Sequence, residues 1–288
     1  MFKALLKTMR PKQWAKNVFL FAAVTFDRKL TTLDSMLHTV LGVIVFSLIA
    51  SVVYIINDIA DVEADRQHPL KRKRPIASGQ LSLRSAWIAA ILLLAVTFPA
   101  AYWLSPLFAL ICAAYFVLNL VYSKWLKHVI LLDIIILASF YVIRVAAGVA
   151  LIKVERFSPW IYIFTTFLAL LIGAGKRRAE LAQIAQSSNT RRVLDGYTLN
   201  FLDQVITLAA GMTIITYSLY TFSAVNLPEN HLMMLTIPFI IYGILRYQYL
   251  LQVSEVGGAP EDVVLSDRPL QVAIALWGLA VLIVFYFS

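Results

Sequence analysis

The sequence predicts an all-α membrane protein with nine transmembrane helices. Three observations support this fold class: 60% of the 288 residues are hydrophobic, only 14% are charged, and long apolar stretches recur along the whole chain. A soluble globular protein is excluded, because ordinary soluble domains carry about 25% charged residues. The stretches are also too long for barrel strands of about ten alternating residues. Nine helices leave roughly 100 residues for all the connections, so no separate catalytic domain fits. We therefore expect one membrane-embedded domain over 1–288.

The predicted membrane-spanning helices follow one another through short connections. The first, 15–27, is short and basic before its start, but no small-residue cleavage site closes it, so we expect it to be retained. The other eight are 36–56, 84–104, 106–122, 130–151, 158–175, 200–223, 232–250 and 269–287. Most of them are close to the roughly 20 residues that a helix needs to cross a bilayer.

Lysine and arginine lie almost entirely on one side of this predicted topology. With the N-terminus in the cytoplasm, 20 of the 25 basic residues are cytoplasmic, and the outer side has only Arg28, Lys29, Lys153 and Arg156. This asymmetry is the positive-inside pattern. We therefore expect a multi-pass membrane protein whose N-terminus and charged loops face the cytoplasm. The net charge of +9 is explained by orientation and anionic headgroups, and we expect no nucleic-acid partner.

Acidic residues follow the second predicted span along one helical face. Asp58, Asp61 and Asp65 are three and four residues apart, and Asn57 lies one turn before Asp61. Three neighbouring carboxylates repel one another. A Mg²⁺ ion bound by carboxylates and substrate phosphates would compensate this charge. Alternatively, the acids form a solvated helix end that pairs with the cations of 71–74.

A basic loop comes next, with the sequence HPLKRKRPIASG at 68–79. Two prolines and a glycine argue against a helix here. Its four consecutive cations can set the topology, or the loop can fold over a metal diphosphate held by the carboxylates.

The motif Asn57-Asp58-x-x-Asp61-x-x-x-Asp65 and the basic loop together resemble the first aspartate-rich motif of the UbiA-type intramembrane prenyltransferase superfamily. The resemblance covers nearly the whole chain. It implies a nine-helix bundle with a cytoplasm-facing cavity and a Mg²⁺-diphosphate site.

Further segments resemble the decaprenyl-phosphate phosphoribosyltransferase branch of that superfamily. They are RPKQWAKN (10–17), YSKWLK (122–127), the helix from Asp133 to Arg144, GKRRAEL (175–181) and PEDVVLSDRPLQ (260–271). This branch moves 5-phosphoribose from phosphoribosyl diphosphate onto a polyprenyl phosphate. The resemblance therefore implies such a transferase, in a bacterial cytoplasmic membrane, on the route to arabinan precursors.

One segment departs from the superfamily pattern. Prenyltransferases carry a second motif, D-x-x-x-D, after the sixth span, whereas this chain has Lys176-Arg177-Arg178-Ala179-Glu180 there. The missing pair of carboxylates argues against aromatic prenyl transfer and favours a donor with an additional, metal-free phosphate.

The resemblance and the chemistry of the donor assign roles to candidate residues. Asn57, Asp58, Asp61 and Asp65 are expected to hold Mg²⁺ at the leaving diphosphate, with Asp58 and Asp61 as catalytic residues. Asp133 and Glu180 are expected to stabilise an oxocarbenium-like sugar; alternatively, they pair with Lys127 or Lys176. Phosphate and ribose contacts are expected from Lys16, Asn57, Arg72, Arg74, Tyr122, Lys124, Lys127, Arg144, Lys176, Arg177 and Tyr197. Alternatively, Tyr122 and Tyr197 form interhelical hydrogen bonds.

Arg144 has two interpretations. A charge well inside a span is costly and should face the bundle interior. It lies three helical turns from Asp133 and on nearly the same face. It either contacts a phosphate deep in the cavity or forms a hydrogen-bonded tie between helices.

Two other functions stay open from the sequence. One is a UbiA-type prenyltransferase with a polyprenyl diphosphate donor and an aromatic or heme-like acceptor. The other is a transporter or flippase, although the acidic face has no second copy in the C-terminal half, where an inverted repeat would place it. Oligomerisation is possible and is not specified by the sequence.

Overall fold

The computed structural model describes residues 1–152, 154, 158–184, 196–224, 227–228, 230–253 and 260–287. Within these ranges every regular element is a helix. Among the described residues, eight helices are long and apolar enough to cross a membrane: Leu33–Ala60, Leu83–Leu104, Pro106–Lys124, Leu132–Leu151, Pro159–Ala182, Leu199–Ser223, Leu232–Gln252 and Arg268–Phe287. The all-α membrane class is confirmed. The predicted outer cations Lys153 and Arg156 lie outside the described residues.

The helices are numbered here in chain order. The α-helices are α1 (Phe2–Met9), α2 (Phe21–Phe26), α3 (Leu33–Ala60), α4 (Val62–Gln67), α5 (Leu83–Leu104), α6 (Pro106–Lys124), α7 (Leu132–Leu151), α8 (Pro159–Ile184), α9 (Leu199–Ser223), α10 (Ile237–Gln252), α11 (Pro260–Ser266) and α12 (Arg268–Phe287). Short 3-10 helices cover Pro11–Leu20, Lys71–Lys73, Leu126–His128 and Leu232–Thr236.

The first predicted span differs from the structure. Its residues form part of the 3-10 helix Pro11–Leu20 and the six-residue α2, so the count of nine spanning helices is not confirmed in the described part of the chain. The physical reason is visible in its polar contacts. Asn17 is buried and donates to Ser47 Oγ at 2.7 Å, and Trp14 Nε1 donates to Ser51 Oγ at 3.0 Å. Side-chain hydrogen bonds to α3 thus hold a segment whose apolar run is short.

The chain divides into two compact units. The first comprises Met1–Lys124 and Ile143–Lys153, and the second comprises Trp125–Val142 and Val154–Ser288. Helix α7 contributes residues to both.

In the first unit, α1, the 3-10 helix Pro11–Leu20, α5 and α6 pack against α3. Its apolar core includes Val52 and Ile55 of α3 and Ala86 of α5. Ile76 and Leu81, which follow the cations of the basic loop, are also buried in this core. The loop is non-helical as predicted, apart from the single 3-10 turn Lys71–Lys73, and its buried end anchors the cations beside α3 and α4.

In the second unit, α8 packs against α9, and α10 packs against α9 and α12. The short α11 contacts α8, α10 and α12. Leu171, Leu202, Ile206 and Leu250 are among the buried side chains of the core. This packing places the basic segment near the end of α8 against the buried Asp133 of α7 and the partly exposed Asp203 of α9.

Candidate functional site

The predicted acidic motif lies where α3 passes into α4. Asp61 is both the C-cap of α3 and the N-cap of α4. The helix is therefore interrupted in the middle of the motif. Asp58 and Asp65 are buried, whereas Asp61 is exposed and Asn57 is half-buried. The sequence predicted one continuous face for the three acids. The structure divides them into two buried carboxylates and one carboxylate open to solvent.

Two arginines neutralise the buried carboxylates. Arg10 Nη2 donates to Asp58 Oδ1 at 2.6 Å, and Arg74 Nη1 donates to the same oxygen at 3.2 Å. Arg74 Nη1 also donates to Asp65 Oδ2 at 2.6 Å. The sequence left open whether the acids pair with the cations of 71–74. For Arg74, the last cation of the basic loop, the structure shows this pairing. A buried carboxylate needs such partners, because its desolvation is otherwise costly.

The oxygen atoms of this motif have the chemistry that Mg²⁺ requires. Mg²⁺ prefers oxygen ligands and is usually bound by one or two carboxylates together with substrate phosphates. Within the described residues, the second oxygens of Asp58 and Asp65 and both carboxylate oxygens of Asp61 accept no hydrogen bond. The same residues contain no group of three His, Cys, Asp or Glu side chains that could hold a metal on its own. The donor set fits a metal that a phosphate ligand helps to coordinate.

A second network joins four of the predicted residues in the second unit. Arg177 Nε donates to Asp133 Oδ2 at 2.5 Å, and Arg177 Nη1 also donates to Glu180. Tyr197 donates its hydroxyl to Asp133 Oδ1 at 2.6 Å and accepts from the backbone N–H of Leu131 at 2.7 Å. The alternative role of Asp133 was an ion pair with Lys127 or Lys176. Its cationic partner in the structure is Arg177.

Burial and hydrogen bonding keep Tyr197 of this network protonated. Burial, followed by the hydrogen bond to Asp133, raises the pKa of the Tyr197 phenol to about 12. Tyr197 is therefore a neutral donor at physiological pH. Arg177 is 1% exposed and Asp133 is fully buried, whereas Glu180 is 29% exposed. Glu180 is the member of the network that a substrate can most easily approach.

Arg144 is buried and forms a tie between elements of the first unit. Its Nε donates to Asn17 Oδ1 at 2.9 Å, and its Nη2 donates to the Tyr115 hydroxyl at 3.1 Å. The guanidinium also lies over the rings of Phe46 and Tyr115, 5.4 and 5.1 Å from their centroids. These contacts agree with the interhelical tie. A phosphate contact from Arg144 stays a prediction.

The remaining candidates lie at helix ends and in the short helices. Lys16, Tyr122, Lys127 and Lys176 are half-buried, and Arg72 and Lys124 are exposed. Their predicted roles with phosphate and ribose stay predictions.

Two arginines near these networks were missed by the sequence analysis. Arg10 was counted only as a topological charge, although it begins the RPKQWAKN segment. Arg178 is 7% exposed and donates to Asp203 Oδ1 at 2.6 Å and to the Leu251 carbonyl oxygen at 2.5 Å. Neither pairing has a local signal, because the partners are 48 and 25 residues apart.

The sequence of this chain matches a known protein family and several named proteins. Residues 18–258 match the model of the UbiA prenyltransferase family. The chain is 36% identical over 283 residues to a protein from Mycobacterium tuberculosis named decaprenyl-phosphate phosphoribosyltransferase, covering 95% of this chain and 91% of that protein. A protein of the same name from Mycolicibacterium smegmatis is 36% identical, covering 99% and 93%.

The fold has counterparts among solved structures. A UbiA homolog from Archaeoglobus fulgidus, bound to GPP and Mg²⁺, superimposes with a TM-score of 0.74 over 98% of this chain and 99% of that chain. Its sequence identity is 22%, so this similarity concerns the fold.

Proposed function

Because this chain belongs to the UbiA prenyltransferase family, we propose that it transfers 5-phosphoribose from phosphoribosyl diphosphate to a polyprenyl phosphate and releases diphosphate. The observation that carries this proposal is the 36% identity to decaprenyl-phosphate phosphoribosyltransferases along 95% of the chain. The likeness spans both units and is not confined to the aspartate motif. It therefore supports a shared reaction, including the donor and the lipid acceptor.

The aspartate motif is the proposed site of the leaving diphosphate. Asn57, Asp58, Asp61 and Asp65 supply oxygen ligands, and Arg10 and Arg74 supply N–H donors beside them. Mg²⁺ bound there would neutralise charge on the departing diphosphate. Arginines suit the remaining phosphate oxygens, because a guanidinium can pair with two of them at once. The half-buried Lys16 and the exposed Arg72 are further candidates for these contacts.

Arg177 and Glu180 belong to the segment 176–180, which stands where the superfamily has its second aspartate-rich motif, and they form a network with Asp133 and Tyr197. Its three charged groups are one cation and two anions, and a pair of free carboxylates is not present among them. Asp133 fixes the guanidinium of Arg177, whereas the partly exposed Glu180 is the better candidate to stabilise positive charge on the sugar. Lys124, Lys127, Lys176 and Tyr122 are candidates for the 5-phosphate and the ribose hydroxyls.

The acceptor supplies its own nucleophile. A monoester phosphate has a second pKa near 6, by analogy with phosphorylated side chains, so its oxygen is ready at neutral pH and no general base is needed. The bond from C1 of ribose to the diphosphate breaks, and a bond from C1 to the lipid phosphate oxygen forms. The products are polyprenyl-phosphoryl 5-phosphoribose and diphosphate.

We place the enzyme in the bacterial cytoplasmic membrane, with the N-terminus and the aspartate motif facing the cytoplasm. The support is the charge asymmetry of the sequence, 20 cations against four. The basic residues of 71–74 lie in the loop after α4 and share this side with the motif.

Diphosphate release tests the metal assignment. Purified protein in detergent should release diphosphate from phosphoribosyl diphosphate only when polyprenyl phosphate and Mg²⁺ are both present. The double substitution Asp58→Ala, Asp61→Ala should reduce the rate by at least a hundredfold, whereas Asp34→Ala, at an exposed acid in the first turn of α3, should leave it unchanged. Undiminished release from the double variant would contradict the assignment.

A prenyltransferase that uses a prenyl diphosphate is the second candidate. It is supported by the match of residues 18–258 to the UbiA prenyltransferase family model, but the segment from Lys176 to Glu180 argues against it. A donor swap separates the two functions: the same protein is offered a polyprenyl diphosphate with an aromatic acceptor. Turnover of that pair without turnover of phosphoribosyl diphosphate would favour the second candidate.

A further inference from the structure

Arg10 has an unusual backbone conformation at the junction of α1 and the following 3-10 helix. Its φ and ψ are 54° and 63°, in the left-handed region. L-residues rarely adopt this conformation because the side chain crowds the carbonyl oxygen. Its N–H donates to the carbonyl oxygen of Lys7, which closes α1, and Pro11 begins the next helix. The side chain is thus carried by a turn with little freedom.

Two residues of α3 hold the Arg10 guanidinium. Nη2 lies 2.6 Å from Asp58 Oδ1, and the guanidinium carbon lies 5.0 Å from the centre of the Tyr54 ring. Tyr54 is one helical turn before Asp58, so both contacts come from the same face of α3. Within the described residues, the Arg10 side chain donates a hydrogen bond only to Asp58. A third of the side chain is exposed, which leaves N–H donors available to an anion.

Arg10 and Arg74 balance the charge of the buried acids before any ligand is bound. Both donate to Oδ1 of Asp58, and Arg74 also pairs with Asp65. A divalent cation that approaches Asp58 therefore meets two guanidinium charges within a few ångströms of its ligand. Repulsion between charges at such distances is strong when solvent screening is incomplete. The arginine-paired Asp58 carboxylate is therefore a poor site for a metal that arrives alone.

We propose that Arg10 is a positioning residue that prevents Asp58 from binding a bare divalent cation and releases this carboxylate when a diphosphate arrives with the metal. The diphosphate adds negative charge, which offsets the repulsion between the metal and the arginines. Its oxygens also accept hydrogen bonds from the guanidinium, whose planar geometry suits phosphate. The proposal rests on the proposed function for the identity of the diphosphate site. It implies that the donor enters as its metal complex.

Binding of Mn²⁺ tests the proposal without any turnover. Full-length protein in detergent is dialysed to equilibrium against Mn²⁺ alone or against Mn²⁺ plus inorganic diphosphate, and the excess of total Mn²⁺ on the protein side is measured by electron paramagnetic resonance after acid release. The variants are Arg10→Gln and the control Arg66→Gln. Arg66 is adjacent to Asp65 in sequence but pairs with the exposed Glu63 at 2.8 Å, so its substitution removes the same charge without touching Asp58.

With Mn²⁺ alone, Arg10→Gln should bind about tenfold more tightly than the wild type, because a competing charge has left the ligand. Arg66→Gln should bind as weakly as the wild type. Diphosphate should tighten Mn²⁺ binding by a larger factor in the wild type than in Arg10→Gln. The proposal is overturned if Arg10→Gln binds Mn²⁺ alone no more tightly than Arg66→Gln.

Thermal unfolding in the same detergent shows whether Arg10→Gln folds. If it does not, Arg10→Lys replaces it in the test. An ammonium retains the charge but lacks the planar fork, so Mn²⁺ alone should bind as weakly to Arg10→Lys as to the wild type, whereas diphosphate should tighten Mn²⁺ binding about threefold less than in the wild type. Undiminished tightening by diphosphate in Arg10→Lys would then contradict the proposal. Since phosphoribosyl diphosphate is not used, failure of the transferase reaction and failure of this inference give different results.

Discussion

Arg177 Nε lies 2.5 Å from Asp133 Oδ2, and both side chains are almost completely buried. The pair connects α8 to the first turn of α7, across 44 residues of sequence. A buried ion pair is not a large net source of stability, but removal of one partner leaves an uncompensated charge in a low-dielectric interior. The two carboxylates that pair with Arg177 therefore contribute unequally to stability, since Asp133 is buried and Glu180 is partly exposed.

Asp133→Ala should destabilise the protein much more than Glu180→Ala. The first change leaves the buried Arg177 without its buried partner, at a cost of about 3–5 kcal/mol. The second removes a partly solvated partner, at a cost of about 1 kcal/mol or less. Unfolding of both variants in the same detergent, by heat or denaturant, measures the difference. Equal losses would show that the two carboxylates are equivalent partners of Arg177.

Gly148 of α7 should not accept even a methyl group. A Cβ added there would lie 2.1 Å from the carbonyl oxygen of Leu20, and a backbone atom cannot rotate aside. Gly148→Ala should therefore lower the free energy of unfolding by about 1–3 kcal/mol. Gly278→Ala is the matched control, because a Cβ there meets nothing within 4 Å and alanine favours the helix by about 1 kcal/mol. A neutral Gly148→Ala variant would disprove this contact.

The stability that Tyr197 contributes should decline at alkaline pH. Its pKa is raised from 10.0 to about 12 in the folded protein, so between these values the folded state keeps a proton that the unfolded state has lost. The contribution is complete below pH 10 and is lost as the pH rises towards 12. The difference in unfolding free energy between the wild type and Tyr197→Phe should shrink over this range. A constant difference from pH 8 to 11 would mean that the phenol titrates normally.

Single introduced cysteines should report the orientation of the chain. The native Cys112 is buried and gives little background. Gln80→Cys, exposed after the basic loop, should react with an impermeant maleimide only in inside-out vesicles. Thr31→Cys, exposed before α3, should react in intact cells. The opposite pattern would reverse the proposed topology.

The sequence predicts most of the fold because length and apolarity alone define a spanning helix. Eight predicted spans coincide with helices of the structure, and prolines and a glycine correctly predict a break between α4 and α5. The first span is not confirmed as a long α-helix. Its short apolar run contains Asn17, whose amide donates to Ser47 and whose carbonyl oxygen accepts from Arg144. These partners are distant in sequence, and composition does not reveal them.

The sequence predicts the candidate site less completely than the fold, because the partners of its charged side chains are also distant in sequence. Motif spacing identifies Asp58 and Asp65, and resemblance identifies Arg177 and Glu180. Neither reveals which cation each carboxylate meets. Arg10 reaches Asp58 because a left-handed turn and the ring of Tyr54 direct its side chain. Arg177 was expected to contact phosphate, whereas the structure pairs it with two acids.

A mass spectrum of the lipid tests the central claim most directly. Purified protein is incubated with phosphoribosyl diphosphate, polyprenyl phosphate and Mg²⁺, and the extracted lipid is fragmented. The account predicts a lipid heavier than the acceptor by one 5-phosphoribosyl group, attached through the lipid phosphate. An unchanged polyprenyl phosphate, from protein that instead transfers the chain of a polyprenyl diphosphate to another acceptor, would contradict it.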